Sequence, residues 1–405
     1  MSTVSHQGSG AEPLFRSYWQ AGFESACHIN RAGARLDLLA ATQHDRLARE
    51  DYRRVKRFGM ATVRESIRWH LVDRRGGYDF ASVRPLAEAA RMEGMQVIWT
   101  LCHYGWPDDL DLLSARFVDR FGAYARAVAR FLVECHDDRP LWFVPINEIS
   151  FTAWAAGARG MMHPYAEAPA PAIKRQLVRA TIAAIDAIRD VAADARFLHV
   201  DPLVHVVAPR HRPELAPAAR AETAAQFEAV ELLCGALEPE LGGDPRYLDV
   251  LGLNYYHANQ WELGNGRLRW EDQPLDDRWV PLHKLLAGVS HRFQRPLLLS
   301  ETSHFGSGRA RWIREIAGEV RTALLAGVPV EGICLYPIID RPDWDDPCHW
   351  HNSGLWDIRA ASGDRLERVL NEEYADAVRA AQREVPLGSG SGARDRAAAS
   401  GQFQP

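Results

Sequence analysis

The chain of 405 residues predicts an α/β fold, a single-domain (β/α)₈ TIM barrel. Three observations carry that expectation. Eight short apolar runs alternate with longer amphipathic ones. The short runs are nearly continuous in hydrophobicity, as parallel strands covered on both faces are. Polar, aromatic and titratable residues gather at the C-terminal ends of almost all of them, where such a barrel keeps its chemistry. The main competitor is a doubly wound sheet. It would need a Gly-rich, phosphate-cradling turn after the first strand, and GFESACHIN (22–30) offers none.

In chain order, the expected strands are YWQAGF (18–23), ATVRESI (61–67), QVIWTL (96–101) and LWFVPIN (141–147). The second half adds ARFLHVD (195–201), LDVLGLNY (248–255), RPLLLSE (295–301) and EGICLYP (331–337). Helices are expected between them. The run 43–58 sets Leu47, Val55 and Phe58 among charged residues, the pattern of a helix with one apolar stripe. Further helices are expected at 81–93, 115–135, 170–192, 219–238, 281–292, 308–326 and 365–383. The Pro-rich segment 207–222 is expected to be a barrel loop, and the stretch before 281 mostly loop. Residues 13–385 form the barrel, between a small, polar lead (1–12) and a Gly/Ser/Ala-rich tail (386–405) expected to be disordered.

Bulk composition narrows the class. Hydrophobic residues at 47% and charged residues at 25% are those of a soluble globular protein. A net charge of −5 leaves no basic excess to draw nucleic acid or an anionic membrane. No run approaches the length of a membrane-spanning helix, and the opening MSTVSHQGSGAEPLF lacks the basic and apolar regions of a secretory leader. Cys27, Cys102, Cys135, Cys234, Cys334 and Cys348 are widely spaced and form no CxxC pair, so reduced thiols in a cytoplasmic protein are expected. Cys348, His349 and His351 are too close in sequence to wrap one tetrahedral ion, and no second ligand pair follows. Neither a metal nor an organic cofactor is expected.

The candidate chemistry lies at the strand ends. Glu148 closes LWFVPINE and Glu301 closes PLLLSE. Paired carboxylates at converging strand ends suit cleavage of a glycosidic bond, which needs an acid for the leaving oxygen and a nucleophile or base across the sugar. Around them the strand ends carry Arg64, His103, Asn147, Asn254 with Tyr255 and Tyr256, Tyr336, Asp343 and Trp344. The 13 tryptophans, many near strand ends, suit both pyranose faces and core packing.

These segments resemble glycoside hydrolase family 1, the β-glucosidase-like enzymes of clan A. VRESIRW (63–69) resembles the family's YRFSISW, TLCHYGWP (100–107) its TLHHWDLP, and INE (146–148) its FNEP acid/base motif. LGLNYY (251–256) resembles GLNYY, LSET (299–302) the ITEN nucleophile motif, YPIIDRPDW (336–344) WSLLDNFEW, and SGLWD (353–357) FGLVYVD. The motifs follow the family's order from about residue 20 to residue 357. There are departures: Ile149 follows Glu148 where the family has proline, Thr302-Ser303 follow Glu301, Gly105 replaces an Asp, and Asp343 replaces a Glu. The family's N-terminal sugar-binding Gln has no evident counterpart; His28 or Asn30 could take its place.

The roles follow from chemistry and resemblance together. Glu148 is the expected acid/base, its pKa raised by burial and a neighbouring carboxylate. Glu301 is the expected nucleophile. Asn147 would hydrogen-bond the sugar 2-hydroxyl. Arg64 needs a buried carboxylate, either Glu301 or its neighbour Glu65; alternation along the strand favours Glu301. Tyr256 is favoured over Tyr255 as the nucleophile's partner. His103, Asn254, Tyr336 and His28 are expected to bind substrate. The resemblance implies the same for Asp343 as a hydroxyl clamp and Trp344 as a sugar platform. The expected activity is hydrolysis of O-linked β-glycosides by a retaining, double-displacement route, on a small carbohydrate or glycoside substrate. A phosphorylated glycone is not expected, because HWHNS (349–353) has no Lys. The alternatives are a carbohydrate-binding or scaffolding barrel with degraded catalysis, and a transglycosylase.

Overall fold

The computed structural model describes residues 13–74, 77–135, 139–360 and 364–385; the lead 1–12 and the tail 386–405 lie outside them. Eight parallel strands close into one barrel: β1 (Trp19–Gly22), β2 (Thr62–Ser66), β3 (Gln96–Cys102), β4 (Trp142–Ile146), β5 (Arg196–Pro202), β6 (Val250–Asn254), β7 (Leu297–Thr302) and β8 (Val330–Leu335). Each strand pairs with its neighbours in chain order, and β8 returns to β1 through Trp19 opposite Ile333. This is the expected (β/α)₈ barrel, and each strand falls within two residues of its predicted bounds.

Helices cover the outside: α1 (His44–Lys56), α2 (Arg84–Glu93), α3 (Ala115–Cys135), α4 (Ala170–Arg189), α5 (Ala216–Ala225), α6 (Glu228–Leu233), α7 (Leu282–Phe293), α8 (Gly308–Leu325) and α9 (Glu372–Glu384). Their buried faces follow helical spacing. In α3 these are Phe117, Phe121, Tyr124, Val128 and Phe131, three or four residues apart. α2 stops at Gly94, whose φ of +65° is the left-handed turn that ends a helix. α9 begins at Asn371, whose side chain accepts from the Tyr374 amide. Among the described residues no helix is long and apolar enough to cross a membrane.

Three predicted elements are corrected. Residues 219–238 are two helices, α5 and α6, with the chain turning at Gln226 and Phe227. The segment 207–222 is not all loop: α5 starts at Ala216, and Pro217 sits in its first turn, where no amide bond is missed. Residues 365–383 are not one helix. Leu366–Leu370 is a strand paired antiparallel with Trp356–Ala360, and the helix starts only after it.

The barrel interior is filled near the strand starts by Ile98, Trp142, Val144, Leu198, Val250 and Leu298, with the Phe15 ring 4.6 Å from Trp142. Alternation along β2 then sorts two charges. Arg64 points into the barrel and Glu65 out of it. Glu65 is fully buried beneath α1, where it accepts from the Tyr52 hydroxyl and His44 Nε2, each at 2.8 Å. His44 Nδ1 lies 2.9 Å from Asp51, and Asp51 takes two bonds of 3.0 Å from Arg368 of the strand Leu366–Leu370. Burial alone would lower the His44 pKa, but Glu65 and Asp51 outweigh it and push it up to about 9.

The folded state therefore holds the His44 proton more tightly than the unfolded chain does. Its stabilising contribution is complete below about pH 6.5 and is lost as pH rises through about 9. Urea unfolding across that window should show the wild type losing more stability than His44→Gln. Parallel profiles would show that the imidazole is not charged in the fold.

Candidate active site

At the end of β4 the backbone leaves the sheet. The Asn147 amide donates to Cys102 O and the Glu148 amide to Val200 O, both at 2.9 Å. Glu148 has φ +49°, a left-handed conformation uncommon for a residue with a Cβ. It turns the side chain inward and starts the short helix Ile149–Thr152. Asp201, at the end of β5, caps that helix by accepting from the Ser150 amide at 3.0 Å. Tyr104, beyond β3, is also left-handed at φ +67°, and its hydroxyl meets Glu148 Oε2. Asn254, closing β6, donates to Glu148 Oε1 at 2.8 Å, its own carbonyl held by Ser300 Oγ at 2.7 Å.

Glu301 lies at the end of β7, in register with Asn254. Arg64 Nη1 donates to Glu301 Oε1 at 2.5 Å and Arg64 Nη2 to Asn147 Oδ1 at 2.5 Å. The Tyr256 hydroxyl donates to Glu301 Oε2 at 2.8 Å, whereas Tyr255 is buried against Gln260. One guanidinium thus ties the residue before Glu148 to Glu301.

Both carboxyls are buried, Glu148 to 7% and Glu301 to 4% exposure. Burial, and then the charge of Glu301, raise the Glu148 pKa to about 8, against the pull of the Tyr104 and Asn254 donors. Burial also raises Glu301, but a cation and a hydroxyl face it and favour its ionised form. Glu148 faces neutral donors only, so the proton of the pair resides on Glu148 and the charge on Glu301. Burial works against the charge of Arg64, and Glu301 outweighs it, so the guanidinium stays charged.

The remaining predicted residues sort themselves by their partners. The His103 imidazole is kept neutral by burial and by the charge of Arg64. Its Nε2 accepts from Asn147 Nδ2 at 3.1 Å, while Nδ1 lies 2.9 Å from Ser25 Oγ and 3.4 Å from the Tyr336 hydroxyl. Both nitrogens are engaged within the protein, so His103 positions Asn147. Tyr336 also lies beneath Arg64, whose guanidinium carbon is 5.3 Å from the ring centre. Asp343 is not a free clamp. One oxygen caps the amides of Asp345 and Asp346, and the other lies 2.9 Å from His351. Trp344 packs edge-to-face with His28 at 4.8 Å and Tyr104 at 5.7 Å. His28 is buried and held neutral by burial and by Arg35, its pKa lowered to about 4. Asn30 is committed to the Trp344 carbonyl, at 2.9 Å.

The residue list read from sequence lacks three members of this group. Tyr104 follows His103 directly, but its positive φ is what aims it at Glu148. Glu24 follows β1, accepts from the Ser25 and Ala26 amides at 3.0 Å, and pairs with Arg341 at 3.2 Å. Arg341 in turn lies over Trp344, 5.6 Å from the ring centre. Two glycines are fixed by close approach. A Cβ at Gly105 would stand 2.3 Å from Cys27 O, and one at Gly22 would stand 2.2 Å from Tyr336 Cδ2. The first explains why no Asp is present at position 105.

The molecule is thus an eight-stranded parallel barrel with a buried carboxyl pair at its C-terminal mouth. No family model matches the chain, and no curated protein matches it in sequence. Solved structures match it in fold. A family 1 β-glucosidase from Thermotoga maritima shares 14% identity, covering 92% of this chain and 98% of that one with a TM-score of 0.71. The Thermotoga maritima β-glucosidase in complex with glucoimidazole gives 14% identity, coverage of 92% and 99%, and a TM-score of 0.72. In complex with deoxynojirimycin it gives 16%, coverage of 91% and 98%, and 0.70. The chain therefore has the fold of the family 1 β-glucosidases.

Two measurements probe the site. Tyr104→Phe removes a donor that favours ionised Glu148, so the Glu148 pKa should rise above about 8 in carboxyl-carbon NMR. An unmoved titration would detach Tyr104 from it. Gly22→Ala drives a methyl into the Tyr336 ring and should cost about 1–3 kcal/mol in denaturant unfolding, an overpacking effect.

Proposed function

We propose that the chain is a retaining β-glycosidase, a divergent relative of glycoside hydrolase family 1 that hydrolyses O-linked β-glycosides. The observation that supports this best is the asymmetry of the pair. A charged Arg64 and the Tyr256 hydroxyl hold Glu301, while neutral Tyr104 and Asn254 hold Glu148. An ionised carboxylate and a protonated one share a buried network, as double displacement requires.

Glu301 attacks the anomeric carbon as Glu148 gives its proton to the departing glycosidic oxygen. The bond to the aglycone breaks and a glycosyl ester forms on Glu301. That ester removes the negative charge that raises Glu148, so its pKa falls and it can take a proton from water. Water attacks the anomeric carbon, the ester breaks, and the sugar leaves with its configuration retained. Asn147 stands beside the pair to hydrogen-bond the 2-hydroxyl. Trp344, Tyr336 and His28 supply aromatic walls for a pyranose ring. Transfer to a sugar acceptor instead of water would use the same residues. The six cysteines are free thiols, which supports a reducing, cytoplasmic location.

The test is a panel of nitrophenyl β-glycosides. Glu301→Ala should abolish turnover, and azide should restore it as the glycosyl azide of opposite anomeric configuration. Glu148→Ala should keep glycosylation of good leaving groups and, with azide, give the retained anomer. Wild-type kcat/KM should be bell-shaped, its basic limb set by Glu148 near pH 8. In Glu301→Gln the Glu148 pKa should fall. No turnover of any glycoside by the wild type would favour a binding barrel, and wild-type rates in both alanine variants would refute the assignment.

A further inference from the structure

Three side chains outside the catalytic pair converge from separate segments. His257 follows Tyr256 after β6, Glu271 belongs to the long connection before α7, and His304 lies three residues after Glu301. Their donor atoms all lie within 4.8 Å of one another. His304 Nε2 is 3.5 Å and His257 Nε2 3.9 Å from Glu271 Oε1. A tetrahedral zinc ion with bonds near 2.1 Å separates its ligands by about 3.4 Å, so a modest contraction would close the set.

A second observation points into the cluster. Both imidazoles are more than nine-tenths buried, His257 at 7% and His304 at 4% exposure. His304 Nε2 and Glu271 Oε2 are buried without a hydrogen bond, as is Nδ1 of the His257 ring, whose Nε2 faces Glu271. Buried polar atoms without a partner are unusual in a folded chain. Arg267 holds Glu271 at 3.0 Å through Oε1, which leaves Oε2 available. His304 Nδ1 lies 2.9 Å from the Phe305 carbonyl and 2.8 Å from the Phe305 amide that donates to it, so a metal at Nε2 would shift the ring proton to Nδ1, against that carbonyl. The start of α8 packs closely against the ring: a Cβ on Gly308 would stand 2.3 Å from that Nδ1. Phe305 packs against His257, and Trp270, itself against Trp312, packs against His304.

We propose that His257, Glu271 and His304 bind a divalent transition metal ion, zinc by the chemistry of two imidazoles and a carboxylate, with water as fourth ligand. The ion fastens the segment after β6, which carries Tyr256, to the segment after β7, which follows Glu301. The proposal stands whether or not the chain cleaves glycosides.

The experiment uses the full chain, stripped with chelator and reloaded with zinc or cobalt(II). About one metal per chain should survive dialysis, zinc should raise the Tm, and cobalt should give the intense visible absorption of a four-coordinate site. His304→Gln and Glu271→Gln should weaken zinc binding by more than the 10–100-fold that loss of an outer-shell partner costs. His349→Gln, in the exposed loop beside Cys348, should leave stoichiometry and affinity unchanged. If the glutamine variants do not fold, the wild-type cobalt spectrum decides alone. Only the weak absorption of hydrated cobalt, or zinc binding lost through His349→Gln instead, would overturn the site.

Discussion

The structure of the mouth depends on one buried cation. Arg64 has no exposure to spare, and a guanidinium there is tolerable only while every face is matched. Glu301 supplies the charge, Asn147 a carbonyl and Tyr336 an aromatic face. Because the three partners come from β7, the end of β4 and the end of β8, matching Arg64 fixes the relative positions of those strand ends. Asn147, so oriented, presents its amide to His103, whose other nitrogen is received by Ser25 after β1. The chemistry of the carboxyl pair is thus set by a constraint on folding.

Most of the barrel was legible because it is written in local patterns. The strands are apolar runs bounded by turn residues, and helices such as α3 repeat their buried faces every three or four positions. The failures are physical too. DRLERVL (364–370) has apolar spacing compatible with helix or strand, and only its pairing with Trp356–Ala360 decides. The turn at Gln226 and Phe227 follows from packing that no single-segment pattern contains.

The site divides the same way. Alternation along β2 was enough to send Arg64 inward and Glu65 outward, because a two-residue period leaves no other choice. The left-handed backbone at Glu148 and Tyr104 could not be read, since neither residue type advertises it. Asp343 shows the converse. Its type and position suit a hydroxyl clamp, yet nearby backbone amides and His351 claim both oxygens. His257, Glu271 and His304 have no ligand spacing at all in the chain, and only the fold makes them neighbours.

The ion-pair cluster beneath α1 has a consequence for the order in which the molecule can be made. Asp51 and His44 emerge from the ribosome early, but Arg368, which neutralises Asp51, is separated from it by 317 residues. Until that arginine is synthesised, Asp51 has His44, which it shares with Glu65, and Arg54, but lacks the two bonds that tie it to the C-terminal strand. The nascent chain therefore carries a reason to leave its N-terminal layer loose, and the strand holding Arg368 acts as the clasp that closes it.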